Sequence, residues 1–347
     1  FVSATPDNTL WVAKKDGILK VATNDGSLLL EIRDADKFRA VAVDKKNLKV
    51  WSLSKKELSA YNFQGAKLLS TELPSVIKSA SDDEGLLEVD GLTGNIILAN
   101  KKYLLIFDNQ GNLKNQVELD KKIISISLDE SRGHIYVATK NSVKTYSSSD
   151  ATEIKVIYED PRRKIESIAY NLTLDEVWIA TENAVHRYDS SGVLGASFSI
   201  KDIDYIYSDS TGNLWAVSDE KLFYIDYATG TALYNIEPFN SNNDEIEAAV
   251  VDIEDDSIWV TNASEIVHIS NNGSELHRIN LGKDIRDVAI FSDLTPPSIK
   301  FLSPANNSVL NINKPDLVLQ ASDQGTGIDL STLNISINNV PVGKNCT

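Results

Sequence analysis

The chain has 347 residues, 42% of them hydrophobic, and a formal net charge of −16. That length suits one large domain or two ordinary ones, and so acidic a chain is a poor partner for nucleic acid or an anionic membrane. Its single cysteine, Cys346, excludes an internal disulfide and any Cys/His metal spacing, and no apolar run is long enough to cross a bilayer as a helix.

Taken from the start, the chain repeats itself. Residues 1–4 read as a short first strand. Residues 10–13 follow as a second strand carrying Trp11, and a hairpin turns at Gly26. The same succession recurs down the chain, most clearly at 202–236. There a strand ends in polar residues 208–212, a second carries Trp215, and a third runs over 221–225. A hairpin at Gly230 then leads into a fourth strand. The strands are rich in β-branched and aromatic residues and are separated by turn residues about every ten positions. The five tryptophans, Trp11, Trp51, Trp178, Trp215 and Trp259, mark the same point of the repeat, and Ile97 and Tyr136 mark two further copies. The intervals are 40, 46, 39, 42, 37 and 44 residues. Glycine recurs in the hairpin at Gly26, Gly65, Gly111, Gly192, Gly230 and Gly273, while residues 147–150 replace it in the fourth copy.

Seven copies of four strands predict a seven-bladed β-propeller over residues 1–293. The tryptophan stripe is then expected to pack between neighbouring blades. A lone first-strand pattern at 286–291 has no second, third or fourth strand after it. It is expected to complete or reinforce blade one, so that the ring closes there. Thr295-Pro296-Pro297 breaks the pattern, making 294–297 a linker. Residues 298–347 read as strands at 298–303, 308–312, 316–322 and 330–342, with a turn at 323–327. This is an immunoglobulin-like sandwich pattern, but at about half the usual ~100 residues. The fold class is therefore all-β, a propeller followed by a partial sandwich. The absence of methionine, the start at Phe1 and the shortened second domain all lead us to expect a piece of a longer polypeptide.

The blade motif Gly212-Asn213-Leu214-Trp215-Ala216-Val217, continued by Leu222-Phe223-Tyr224-Ile225-Asp226, resembles propeller repeats of the NHL type and of two-component-regulator sensor ectodomains. The stretch from Thr295-Pro296-Pro297 through Ser303-Pro304-Ala305-Asn306 to Ser322-Asp323-Gln324-Gly325-Thr326-Gly327 is similar to bacterial immunoglobulin-like modules of large cell-surface proteins, RHS/YD-repeat proteins among them. These resemblances imply an extracellular, periplasmic or cell-surface bacterial protein with a binding or scaffolding role. The expected partner is a protein, peptide or glycan, and the propeller is expected to be monomeric. A ligand-sensing receptor ectodomain remains open, as does a propeller lyase or hydrolase using acids at the channel mouth, because the fold alone hosts many functions.

Known catalytic patterns are missing. There is no Gly-x-Ser-x-Gly elbow and no phosphate-cradling glycine loop. His134, His186, His268 and His277 all fall off the innermost strands, unlike the histidines of streptogramin-lyase-like propellers. His186 and His268 are expected at equivalent points of third strands. Acidic clusters at 82–84, 244–245 and 252–256 lack EF-hand order and are expected to be solvated loop acids, with a weak Ca²⁺ site as the alternative. No other cofactor is implied.

Aligning the starts of the innermost strands gives an apolar residue followed by a variable one. In ring order the variable set is Arg286, Arg39, Lys78, Ile124, Glu166, Asp204 and Glu247. A closed ring is expected to carry these around one mouth of the channel, with bases on one side and acids on the other. The competing reading is that these charges serve solubility and weak surface ion pairs.

Overall fold

In the computed structural model, residues 2–3, 8–33, 37–78, 85–218, 220–239, 245–292, 298–303, 318–322, 334–337 and 340–341 are described. They contain seven four-stranded antiparallel sheets, which form a seven-bladed β-propeller. From the axis outward, blade six runs Tyr205–Ser208, Leu214–Ser218, Lys221–Ile225 and Ala232–Ile236. Five other blades likewise take their four strands in chain order. Blade one is built differently. Its inner strand is Ile285–Phe291, which pairs with Thr9–Lys14 ahead of Gly17–Ala22 and Leu28–Arg33. The ring thus closes where the sequence pattern placed it. The expected strand at residues 1–4 behaves otherwise, since Val2–Ser3 pairs with Asn334–Ile337 and takes no part in blade one. In the second segment Ser298–Ser303 pairs with Val318–Ser322. The linker and the strand expected at 308–312 lie outside the described residues.

The seven repeat residues all do the same work. Trp11, Trp51, Ile97, Tyr136, Trp178, Trp215 and Trp259 sit on second strands at no more than 1% exposure. Trp11 packs on Val41, Val50 and Tyr61 of blade two. Trp259 packs on Leu10, Val12 and Val21 of blade one, across the closing seam. The seven hydrophobic clusters of the propeller lie between blades, so each blade alone would expose a greasy face. The third strand supplies a partner for the indole: Lys20 lies over Trp11 at 5.5 Å, Arg187 over Trp178 at 5.8 Å, and His268 stacks on Trp259 at 4.0 Å.

Outside this core, each hairpin leans on the outer strand of the blade before it. Gly230 has φ +67°, and a Cβ there would lie 2.0 Å from Phe198 of blade five. At the seam, Gly26 of blade one meets Ile279 of blade seven in the same way.

A third repeated device closes the inner strands. Asp44, Asp90, Asp129, Asn171, Asp209 and Asp252 occupy the same position and are nearly fully buried. Each carboxylate or amide oxygen accepts backbone N–H groups of the turn that follows, as Asp209 does from Thr211 at 2.9 Å and Asp44 from Asn47 at 2.9 Å. Asp209 also accepts the Tyr224 hydroxyl at 2.5 Å. Asp252, expected among solvated loop acids, is buried and accepts the Ser292 hydroxyl at 3.0 Å. The other acidic clusters, at 82–84 and residue 244, lie outside the described residues.

Candidate functional site

The start of the inner strands repeats one backbone irregularity. Phe38 pairs with Ser54 and Ala40 with Leu53, so Arg39 is an extra residue that the strand register skips. Ile124, Glu166 and Arg286 are extra in the same way. In blades six and seven Asp204 and Glu247 donate their N–H groups at 2.8 Å to Val217 and Thr261, which already pair with Tyr205 and Ala248. These are β-bulges, and a bulge re-aims the side chain it carries. Six of the seven variable positions therefore share one backbone geometry at one end of the inner strands.

Lys78 departs from the set. Leu73-Pro74 leads into a helical turn, Ser75–Lys78, and the inner strand of blade three begins only at Leu86. Pro74 accepts the N–H of Ile77 and sets the turn. Ile77 still fills the apolar role expected of it, buried between blades two and three.

Glu166 and Asp204 meet in a concavity of about 280 Å³, lined also by Glu182, Asp202 and Ile203. Lys164 reaches Glu166 at 2.7 Å and feels Glu182 and Asp204 as well; the Glu166 bond and these acids hold its ammonium above the ordinary lysine range. Glu247 is exposed and Arg286 approaches Asp284 at 3.9 Å. Tyr205, 47% exposed, is pushed up first by the surrounding protein and then by Asp204, Glu247 and Glu245. The acidic arc thus converges on a tyrosine that the sequence alignment passed over.

Beyond the bulges lies the channel wall. Serine and aspartate side chains on one inner strand accept backbone N–H groups of the next. Asp287 takes that of Val41 at 2.9 Å, Ser125 that of Ile168 at 3.2 Å, Ser127 that of Tyr170 at 2.9 Å and Ser167 that of Ile206 at 3.2 Å. These bonds satisfy donors on an edge that no further strand covers.

Glu88 stands on the same side of its strand as Leu86, and both are exposed while Leu87 and Val89 are buried. Its carboxyl is accessible along the channel but lies among the inner strands of the surrounding blades. That enclosure, with Asp287 and Glu130 acting on it, pushes its carboxyl from 4.5 to about 8. Enclosure also raises Asp287 to about 7, against the two backbone N–H groups that favour its charged form. The phenol of Tyr207 is raised by burial and then by Tyr205, Asp287 and Glu88, so these groups act on one another across the channel. None of this set was singled out from the sequence, although a lone glutamate in Leu-Leu-Glu-Val was its visible signal.

The shift of Glu88 has a testable sign. Its folded state holds the proton more tightly than the unfolded chain, so stability falls as pH rises from about 4.5 to about 8. Glu88→Gln is expected to flatten that slope and to stabilise the protein at pH 8 by about 1 kcal/mol, since channel water screens the exposed carboxylate. Urea unfolding at pH 5 and pH 8 measures it; a gain at pH 5 as large as at pH 8 would contradict it.

The two third-strand histidines differ in register. His186 pairs with Ile179, whereas His268 pairs with Trp259. The expected equivalence fails by one residue, which places them on opposite faces of their blades. His186 shares a hydrogen bond with Ser197 at 2.9 Å and stacks near Tyr158. Among the described residues no three His, Cys, Asp or Glu side chains converge as a metal-ligand set, and no helix is long and apolar enough to cross a membrane. No protein-family model matches the chain, and no curated protein matches it either.

Proposed function

We propose that this chain is the partner-binding propeller of a larger bacterial cell-surface or secreted protein, of NHL-like repeat type and joined to an immunoglobulin-like module. Its function is non-catalytic recognition of a protein, peptide or glycan at the bulged end of the inner strands. The observation that carries this reading is the recurrence of one bulge under residues that differ. A feature serving only the fold would repeat its side chain, as the tryptophans do. Here the backbone repeats while the side chain changes from Arg286 and Arg39 through Ile124 to Glu166, Asp204 and Glu247. The result is a basic arc facing an acidic one, an arrangement that orients a partner and speeds its approach.

The test compares two triple variants of equal charge. Glu166→Gln, Asp204→Asn and Glu247→Gln neutralise the bulged end, while Glu31, Glu118 and Glu275, each changed to Gln, neutralise three outer strands. A lysine-rich peptide of about a dozen residues is titrated against both at low salt. Affinity is expected to fall at least tenfold in the first variant and less than threefold in the second. Equal losses would mean that the peptide reads net charge alone, and the reading would be abandoned.

A further inference from the structure

The channel wall is unequal around the axis. At the positions one and three residues after each bulge, blades two, four, five and seven contribute only alanine, serine and valine. Large or ionisable side chains come from the other three blades: Asp287 from blade one, Leu86 and Glu88 from blade three, Tyr205 and Tyr207 from blade six. Blades three and six lie nearly opposite each other in a ring of seven. Leu86 and Tyr205 therefore face each other at the upper level, and Glu88 and Tyr207 at the level below.

The two levels differ in chemistry. The upper one offers an aliphatic side chain and a half-exposed aromatic ring. The lower one offers a carboxyl group that accepts no hydrogen bond among the described residues, beside a phenol. Two residues of strand separate the levels, about 6.6 Å, close to the reach of a lysine or arginine stem. Every charge acting on Glu88 is negative, from Asp287 and Glu130, and Asp287 is met only by backbone N–H groups. Among the described residues the channel therefore holds two carboxyl groups one level apart, Asp287 above Glu88, with no cation acting on Glu88. Groups so placed share their negative charge poorly and retain protons instead.

The geometry points to a channel site for one alkylammonium or guanidinium group, entering past Leu86, Tyr205 and Asp287 and ending on Glu88. The stem packs on the leucine and the tyrosine ring, as long cationic side chains do on apolar surface. The head supplies the missing positive charge and displaces a proton from the carboxyl pair. This inference rests on the recognition role proposed above and names its ligand chemistry, that of a lysine or arginine side chain on a protein partner or of a free amine.

Calorimetric titration of the full chain at pH 7.5 tests it, with N-acetyl-arginine methylamide as the first probe and its citrulline counterpart as the neutral control. The arginine probe is expected to bind with release of a proton, seen as a heat that depends on the ionisation enthalpy of the buffer. Glu88→Gln is expected to lose at least tenfold in affinity together with the proton release, and its unfolding midpoint at pH 8 confirms that it folds. Glu118→Gln, on the outer strand Leu113–Glu118 away from the channel, is expected to change the affinity for this small probe less than twofold. A diamine such as 1,4-diaminobutane separates the sources: tighter binding than the capped arginine assigns the site to free amines, weaker binding to a protein side chain. The inference is overturned if the citrulline probe binds as well as the arginine probe, if Glu88→Gln binds as wild type, or if nothing binds at millimolar concentration. In each of those cases the peptide comparison of the triple variants still stands or falls by itself.

Discussion

Trp259→Ala is expected to destabilise the propeller by about 3–5 kcal/mol, the usual cost of removing a fully buried tryptophan. The indole is 0% exposed and fills the seam that closes the ring, against Leu10, Val12 and Val21 of blade one. It also covers His268, whose ring lies parallel to it at 4.0 Å and 8°. His268 donates to or accepts from the Ser257 hydroxyl at 2.7 Å, while its Nδ1 has no partner. Burial, with His277 nearby, pushes it down to about 4 despite Asp255. The native state therefore disfavours the imidazolium that the unfolded chain forms below about pH 6.5. Stability is full above that pH and declines by about 3 kcal/mol as pH falls to about 4. The variant uncovers the ring, so its His268 is expected to titrate closer to the ordinary value and its stability to depend less on pH. Urea midpoints at pH 5 and pH 7.5, with the His268 resonance followed by NMR, give both readouts. A midpoint within experimental error of wild type would show that the seam does not depend on the indole.

Gly230→Ala is expected to cost about 2–4 kcal/mol. About 1 kcal/mol comes from forcing a side chain to φ +67°, and about 1–3 kcal/mol from overpacking against Phe198, whose ring lies 2.0 Å from the added carbon. Gly195 is the internal control. It lies in the outer strand Leu194–Phe198, has no positive φ, and meets nothing nearer than the Arg187 carbonyl oxygen at 3.6 Å. Gly195→Ala is expected to be neutral or slightly stabilising, because the unfolded chain loses freedom. Thermal unfolding of the two variants side by side decides the matter: equal midpoints would show that the hairpin of blade six does not bear on blade five.

What the sequence revealed and what it hid follow from the same physics. A buried aromatic at a fixed period is visible in one dimension because packing between blades demands it at each repeat. Ring closure was visible for the same reason, since residues 286–291 lacked the three strands that should follow. Faces were harder. A strand shows which residues share a side only while its period of two holds, and each bulge shifts that count by one. Glu88, Asp287, Tyr205 and Tyr207 therefore carried no sign that they line one channel. Register errors of a single residue had the same origin, as with His186 and His268. Blade three misled the alignment because Ile77 keeps the apolar role while the strand itself begins at Leu86. Asp252, buried at the end of its inner strand, looked like a solvated loop acid because an acid that caps a turn and an acid in water are the same letter.

The closing of blade one by Ile285–Phe291 also sets the order in which the molecule can be finished on the ribosome. Synthesis delivers Thr9–Lys14 first and its inner partner last, so Lys14 waits 267 residues for the carbonyl of Leu281. Blades two to seven can each form their four strands as they emerge, but none can bury both faces until its neighbours exist. Throughout that time blade one of the nascent chain carries an open sheet edge, the kind of edge that pairs with other chains. The last strand therefore ends a vulnerable stage of biogenesis as well as a ring.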